Sequence, residues 1–320
     1  MPIFRLEGDD ITNAKLVIAQ ETDLELESHL EDWLENSPWA LIQDELILWI
    51  DRQPSARDEE GTVFPDLLGV DAEGNLVIVE LKRDQAPREV VAQLLEYAAW
   101  ANDLSDKQIQ QIAEDYFETH GEFNEKQFHN VYKDVFEIAD TDEMPPLNRN
   151  LRLYIVAGNI PTRVARVCRF LRTSQGMDIN CIDVSTFETK TGERLVSMEA
   201  KVGDEDVIAP KTQRHRTTPT SRWSGDKLVK DVVWEAVEEL MQGDKEFFAP
   251  KEVTACILEK YPDFNSSTVS CQIASDCVNH TSRHHYPGGS DRYWWISKGK
   301  YRLYDPEKDK VENTADTLQD

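Results

Sequence analysis

From Leu76 to Leu81 the chain reads LVIVEL, five large apolar residues interrupted by one carboxylate, Glu80. A strand that is apolar at consecutive positions, not alternate ones, is covered on both faces and belongs in the middle of a sheet. An acid in such a strand has to find a partner, because an uncompensated buried charge is expensive. The preceding segment FPDLLGVD (64–71) reads as a second strand, and a short turn ending in Gly74 joins the two as a hairpin. With the turn centred near Glu73, Val70 falls opposite Leu76 and Asp66 opposite Glu80; a bulge at Gly74 would shift this by one. Directly opposed Cβ atoms lie ~4.5–5.5 Å apart, where like charges repel, so a cation between the carboxylates is expected. Mg²⁺ fits two such carboxylates, being a hard ion that takes few protein oxygens and keeps its waters. Lys82, two residues beyond Glu80, projects from the same face, where an ammonium can orient a water or stabilise an anionic transition state. The plainer reading is an exposed cross-strand ion pair, which the apolar neighbours of Glu80 disfavour.

Around this hairpin the pattern is α/β. Residues 21–36 predict a helix from Leu26, Leu30 and Leu34, stopped by Ser37-Pro38, and 41–50 a strand. Pro87 opens a helix to about Trp100, 104–150 contributes two acidic helices as an insertion, and LRLYIVAGN (151–159) is a buried strand. A helix from Thr162 to about Thr173 and strands near 179–187 and 193–200 complete an α/β sandwich over residues 1–202. The polar, proline-bearing stretch 203–222 reads as a linker. Beyond it, 223–304 contains helices at 226–241, 250–260 and 266–279 and an aromatic hairpin YWWI–YRLY, the layout of a small winged-helix domain. Residues 305–320 form an acidic, solvated tail.

The segment FPDLLGVDAEGNLVIVELKRD, followed by VVAQLLEYAAW, resembles the RecB/NucS-like branch of the PD-(D/E)XK nuclease superfamily. Pro65-Asp66 and Glu80-Leu81-Lys82 match its signature, and Gln93 with Tyr97 match its QxxxY element. The resemblance covers roughly residues 21–103. It implies a restriction-endonuclease-like fold with a mixed central sheet and Mg²⁺-dependent hydrolysis of DNA, with Mn²⁺ able to substitute. Asp66, Glu80 and the Leu81 carbonyl would hold the metal, and Lys82 would handle the water or the charge. Gln93 would support Lys82 or the substrate, Tyr97 would face the substrate, and Glu27 on the leading helix would complete the site, with Glu31 one turn further along. Defence against foreign DNA or DNA repair are the settings implied.

In winged helices the third helix commonly enters the major groove while the hairpin touches backbone. Ser267, Thr268, Ser270, Gln272 and Asn279 are then the candidate base-reading side chains, and Lys298, Lys300 and Arg302 the backbone cations. A protein-binding winged helix is the rival. The order Cys271, Cys277, His280, His284, His285 lacks a CxxC anchor, so inward-packed cysteines are expected in place of a zinc site.

The formal charge of −26 argues against a generally basic nucleic-acid binder, but it is uneven: residues 1–210 hold 19 Lys+Arg against 43 Asp+Glu, residues 211–304 hold 14 against 12, and the tail 2 against 6. Phosphate contact must therefore be local, and the C-terminal half is the expected place. Five cysteines without a CxxC pair predict free thiols in a reducing cytoplasm. No secretion signal is read at the N-terminus, no apolar run is long enough to span a bilayer, and a homodimer is compatible with the sequence. A metal-dependent endonuclease is the leading expectation. Its rivals are an inactive nuclease fold that binds DNA or a partner, and a nuclease for RNA or branched DNA.

Overall fold

The computed structural model describes residues 2–7, 14–42, 45–53, 65–120, 123, 126–203, 227–243, 245–262, 264–281, 283 and 289–309. The linker expected at 203–222 lies outside them except for Gly203, as do His284, His285 and the last eleven residues of the tail.

In chain order the first part contains β1 (Phe4–Glu7), β2 (Lys15–Ile18), β3 (Gln20–Thr22), α1 (Glu27–Glu35), β4 (Leu48–Arg52), β5 (Leu67–Val70) and β6 (Leu76–Gln85). It continues with α2 (Val90–Asn102), α3 (Asp106–His120), α4 (Phe128–Val135), β7 (Leu151–Asn159), α5 (Thr162–Gln175), β8 (Asp178–Glu188) and β9 (Arg194–Val202). Among the described residues the central sheet has seven strands in the order β3-β8-β7-β6-β5-β4, with β9 also paired to β8. It is mixed: β6, β7 and β8 run parallel, while β4–β5, β5–β6, β3–β8 and β8–β9 are antiparallel.

The double-sided burial read from LVIVEL is present. Leu76, Val77, Ile78, Val79 and Leu81 are all fully buried at the centre of the sheet. The β5–β6 register pairs Val70 with Leu76 and Leu67 with Val79, which carries Asp66 to the place opposite Glu80. Gly74 adopts φ +80° in the connecting turn, and a Cβ there would come 2.7 Å from the Pro146 carbonyl oxygen. Both the backbone conformation and the close approach require glycine.

Several element limits differ from the pattern of the sequence. Residues 20–22 form β3 and not the start of a helix, because Gln20–Thr22 pair with Thr186–Glu188 of β8 and the Thr22 hydroxyl bonds that of Thr186 at 2.9 Å. The helix therefore begins at Glu27. The strand expected over 41–50 is β4, starting only at Leu48. Pro87 precedes a turn, and α2 starts at Val90. The helix expected to Asn279 ends at Asp276. The β1–β2 hairpin carried no sequence signal that was read.

The second part comprises α6 (Val229–Leu240), α7 (Pro250–Lys260), α8 (Ser267–Asp276), β10 (Tyr293–Ser297) and β11 (Lys300–Leu303). It has its own apolar core, in which Val233, Val237, Val253, Ile273, Tyr293 and Tyr301 meet. It rests on the first part through polar contacts: Asn265 Nδ2 donates to Glu45 Oε1 (2.5 Å), Lys251 pairs with Asp142 (3.0 Å), Lys298 with Asp134 (2.5 Å), and His280 with Glu137. Glu45 is also held by the buried Arg152 at 2.5 Å, which reaches Asp71 at 3.1 Å. This network caps the end of the sheet where β6 and β7 begin. The tail is not wholly solvated, since Asp309 is buried and grips the Arg302 guanidinium with both carboxylate oxygens. No helix among the described residues is long and apolar enough to cross a membrane.

The Gly74 geometry sets a test. Gly74→Ala forces a side chain into a left-handed turn against a carbonyl and should lower unfolding stability by roughly 1–3 kcal/mol. Urea denaturation measures it, and an unchanged midpoint contradicts the turn geometry.

Candidate active site

Asp66, Glu80, Lys82, Glu27 and Tyr97 converge at the other end of the sheet, where β6 runs toward its C-terminus. Asp66 sits just before β5, and its Oδ2 accepts the Leu81 backbone N–H at 2.6 Å. That bond fixes the carboxylate against the centre of β6 and confirms the hairpin register at its open end. Glu80 is 2% exposed. Its Oε1 lies 2.6 Å from Lys82 Nζ, while no described group hydrogen-bonds its Oε2, which is also buried. Lys82 Nζ further donates to the Leu81 carbonyl oxygen at 2.8 Å. The ammonium thus bridges two of the three oxygens read as metal ligands.

Glu27, the first residue of α1, reaches across the sheet end. Its Oε2 accepts the Arg83 N–H at 2.7 Å and its Oε1 lies 3.8 Å from Lys82 Nζ. The helix that begins at Glu27 thereby delivers a third carboxylate to the cluster. Glu31, one turn on, belongs elsewhere: it is buried against Arg52 (3.1 Å) and Gln53 (3.1 Å). From α2, the buried Tyr97 brings its hydroxyl close enough to Glu80 to favour the carboxylate form, without reaching Oε2 in bonding geometry. Gln93 lies one helical turn before Tyr97, half-buried, and its side chain makes no hydrogen bond to a described residue.

The electrostatics follow from this crowding. Burial, then the charge of Glu80, push the Asp66 carboxyl up to about 7; the Leu81 N–H and Lys82 oppose the shift. Burial also raises Glu80, against the Lys82 hydrogen bond. Burial alone would lower Lys82, but its bond to Glu80 and the charges of Glu80, Asp66 and Glu27 more than offset it, so the ammonium stays protonated. Burial and the same two carboxylates raise the Tyr97 hydroxyl, which keeps its proton. Among the described residues no three His, Cys, Asp or Glu side chains form a metal-ligating cluster. The donors available are two carboxylates and a carbonyl, hard oxygens of the kind Mg²⁺ accepts with waters filling the rest. The unpartnered, buried Oε2 of Glu80 and the elevated Asp66 carboxyl both fit a cation between them.

The residues read as DNA contacts in the second part are placed differently from one another. No residue of α8 whose exposure is described is exposed. Thr268 is buried with its hydroxyl on the Asn265 carbonyl, Gln272 bonds Asp276 at 3.0 Å, and Ser270 lines a cavity of about 570 Å³ between the two parts. Asn279 is bound to the Trp295 backbone. Lys298 is paired with Asp134 and Arg302 with Asp309. Lys300 is exposed, its ammonium 3.9 Å from the centre of the Phe247 ring. α8 packs Val269 and Ile273 into its own core and faces the first part across the cavity that Ser270 lines, so it presents no free reading face; these contacts are tertiary and left no mark in the helix's own sequence. Cys271 and Cys277 are buried, and His280 is engaged by Glu137, so these three do not meet as ligands.

Residues 228–303 match the model of a domain of unknown function (DUF7669), a span that runs from α6 to β11. No curated protein shows significant similarity to the chain. Among solved structures, one titled "Structure of EndoMS-dsDNA2 complex" aligns with a TM-score of 0.27 and 18% identity, over 57% of this chain and 65% of that one. The chain thus covers less than two thirds of that structure's length.

Raised acid pKa values make a signed prediction. Asp66 binds its proton more tightly folded (about 7) than at its ordinary 3.8, so the folded state holds the extra proton between these values. Stability must then fall as pH rises through that window, and the loss is complete above it. Asp66→Asn removes the titration while keeping an acceptor for the Leu81 N–H. In metal-free buffer its melting temperature should gain on wild type progressively from pH 4 to pH 7. Parallel melting curves across that range contradict the burial of Asp66.

Proposed function

We propose that the chain is a Mg²⁺-dependent endonuclease that hydrolyses phosphodiester bonds of DNA, in defence against foreign DNA or in repair. The observation that carries this is the gathering of Asp66, Glu80 and Lys82 at one sheet end, with a buried carboxylate oxygen left unpartnered. Asp66, Glu80 and the Leu81 carbonyl would hold the metal. When bound, Mg²⁺ supplies the positive charge that polarises the phosphate and lowers the barrier to attack by water.

The side chains have distinct tasks. The Leu81 N–H holds Asp66 in place, so the first carboxylate needs no rearrangement to serve. Lys82, kept charged by its carboxylate surroundings, has two roles in sequence. It is the counter-ion of Glu80, and with the metal bound its ammonium would be free to face the attacking water and the negative charge growing on phosphate oxygen. Tyr97 keeps its proton and faces Glu80, limiting that carboxylate's rotation. Glu27 ties α1 to β6 beside Lys82 and offers the outermost carboxylate to a water proton. The three helices and hairpin of the second part are a winged-helix module that in this state docks on the first part.

Plasmid and short-duplex cleavage with Mg²⁺, Mn²⁺ or EDTA tests the activity. Lys82→Ala should lower the rate at least ~100-fold, the scale of losing one preorganised charge at a transition state. Wild-type activity in that variant sinks the assignment. The same variant gives a second readout. Its buried Glu80 has lost its counter-ion, and no ammonium competes for the site. Lys82→Ala should therefore melt lower than wild type in EDTA and gain more from Mn²⁺, while Asp66→Asn gains little. Equal Mn²⁺ shifts in all three proteins mean that the ion binds elsewhere on the acidic surface.

A further inference from the structure

Helix α5 (TRVARVCRFLRTSQ) carries four arginines and no acid, within a stretch, residues 1–210, that holds only 19 basic residues against 43 acidic ones. Two of the four have structural employment. Arg172 is buried and bound to Asp178 (2.5 Å) and Asn180 (3.2 Å), and Arg169 donates to the Lys201 carbonyl (2.8 Å). Arg163 and Arg166 are exposed and form no ion pair with a described residue. They share a stripe with the exposed Val167 (46%) and Phe170 (55%), at spacings of three, four and seven residues, which place all four on the outward face over ~10 Å of helix. Nothing in the fold requires either arginine there, and both remain in solvent.

The stripe starts beside the candidate active site. β7, which feeds α5, runs parallel to β6 with Lys82 beside Ala157 and Gln85 beside Asn159. Gly158 packs so closely on Arg83 that a Cβ would come 2.5 Å from its carbonyl oxygen, and Ala86 N–H donates to the Asn159 oxygen at 2.9 Å. The first turn of α5 therefore stands at the same sheet end as Lys82. Meanwhile two of the three cations expected to meet phosphate in the second part, Lys298 and Arg302, are paired with carboxylates, Lys300 is exposed over the Phe247 ring, and α8 is turned inward.

We infer that the outward stripe of α5 is a nucleic-acid docking surface, in which Arg163 and Arg166 bind backbone phosphates of DNA next to the Asp66–Glu80–Lys82 cleft. It rests on the endonuclease reading for its substrate. Guanidinium forks match phosphate oxygens, and a run of arginines without acids is complementary to a polyanion. Val167 and Phe170 are suited to the apolar sugar edges between phosphates. An acidic protein surface is the competing partner.

Fluorescence anisotropy with a short labelled duplex in EDTA, where no cleavage occurs, decides between them. The double variant Arg163→Glu/Arg166→Glu should bind at least about tenfold more weakly, and the slope of log affinity against log salt should fall by about 2, roughly 0.9 per lost phosphate contact. Arg163→Gln/Arg166→Gln, which leaves this surface helix uncharged at those positions, should lower the slope equally with a smaller loss of affinity. Wild-type affinity and slope in both variants overturn the inference in favour of an acidic protein partner, and so does an absence of DNA binding by the wild type. Cleavage by the wild type is scored separately with Mg²⁺. α5-dependent binding without cleavage supports the docking surface and sinks the endonuclease reading; cleavage that is indifferent to both variants does the reverse.

Discussion

The bond between the Leu81 N–H and Asp66 Oδ2 organises the cleft. It lies at the open end of the β5–β6 ladder, where the strands have stopped exchanging regular pairs, and it locks an acid against a strand that is buried from Leu76 to Leu81. Two consequences follow from that one contact. Asp66 cannot turn away from Glu80, so their repulsion is built into the fold, and each is partly stripped of water by the same apolar walls. Lys82 answers by folding back over Glu80 Oε1 and the Leu81 carbonyl, which makes the chain its own counter-ion. A protein can keep such a strained arrangement only where its neighbours over-determine it, and the fully buried residues from Leu76 to Leu81 supply that rigidity.

The two ends of the sheet both gather carboxylates around few cations, but differ in their access to solvent. At the start of β6 and β7, Arg152 is surrounded by Glu45, Asp71 and Asp178, and Asn265 of the second part adds a donor to Glu45. Arg152, Glu45 and Asp71 there are all but closed to solvent, and Arg172 adds a second cation on Asp178, as expected of a structural network. At the far end three carboxylates face one lysine, and a buried oxygen has no hydrogen-bond partner among the described residues. Lys82 and Glu27 are part-exposed where Arg152, Glu45 and Asp71 are buried, and that access separates a site open to a ligand from one that holds the fold together. The second part attaches at the Arg152 end, which leaves the end beside Lys82 open.

The hairpin, its register, the two-sided burial of β6 and the span of β7 were legible in the sequence, because each depends on local periodicity and a glycine turn. So was the meeting of Asp66, Glu80 and Lys82, which follows from two strands and one register. Glu27 required the family resemblance, since the helix on which it sits has no local signal tying it to Arg83. What was not legible depends on long-range contact. Gln20–Thr22 became a strand because β8 lay beside it, overriding a helical pattern that continues smoothly into α1. Helix α8 is covered by its own core through Val269 and Ile273 and by hydrogen bonds of Thr268, Gln272 and Asp276 within the second part, contacts that the composition of the helix does not reveal. The wing cations could be read as lysines and arginines but not as partners of Asp134 and Asp309.

Charge on this chain is best understood by location, not by sum. A net of −26 would repel a polyanion at long range, yet screening confines that repulsion to about 8 Å at physiological salt. Within that distance of a docked phosphate, only the nearby side chains count. At the sheet end beside Lys82 those include Arg83, exposed but sharing its charge with Asp84 at 2.7 Å, and Arg163 and Arg166 of α5, which form no ion pair with a described residue. The acidic remainder then has a role of its own. On the proposed reading it would disfavour adsorption of nucleic acid anywhere except where cations are presented, so a weak local patch would suffice to choose the place of contact. An acidic body with a small arginine stripe beside a carboxylate cleft is thus physically consistent with the proposed docking of DNA in one orientation.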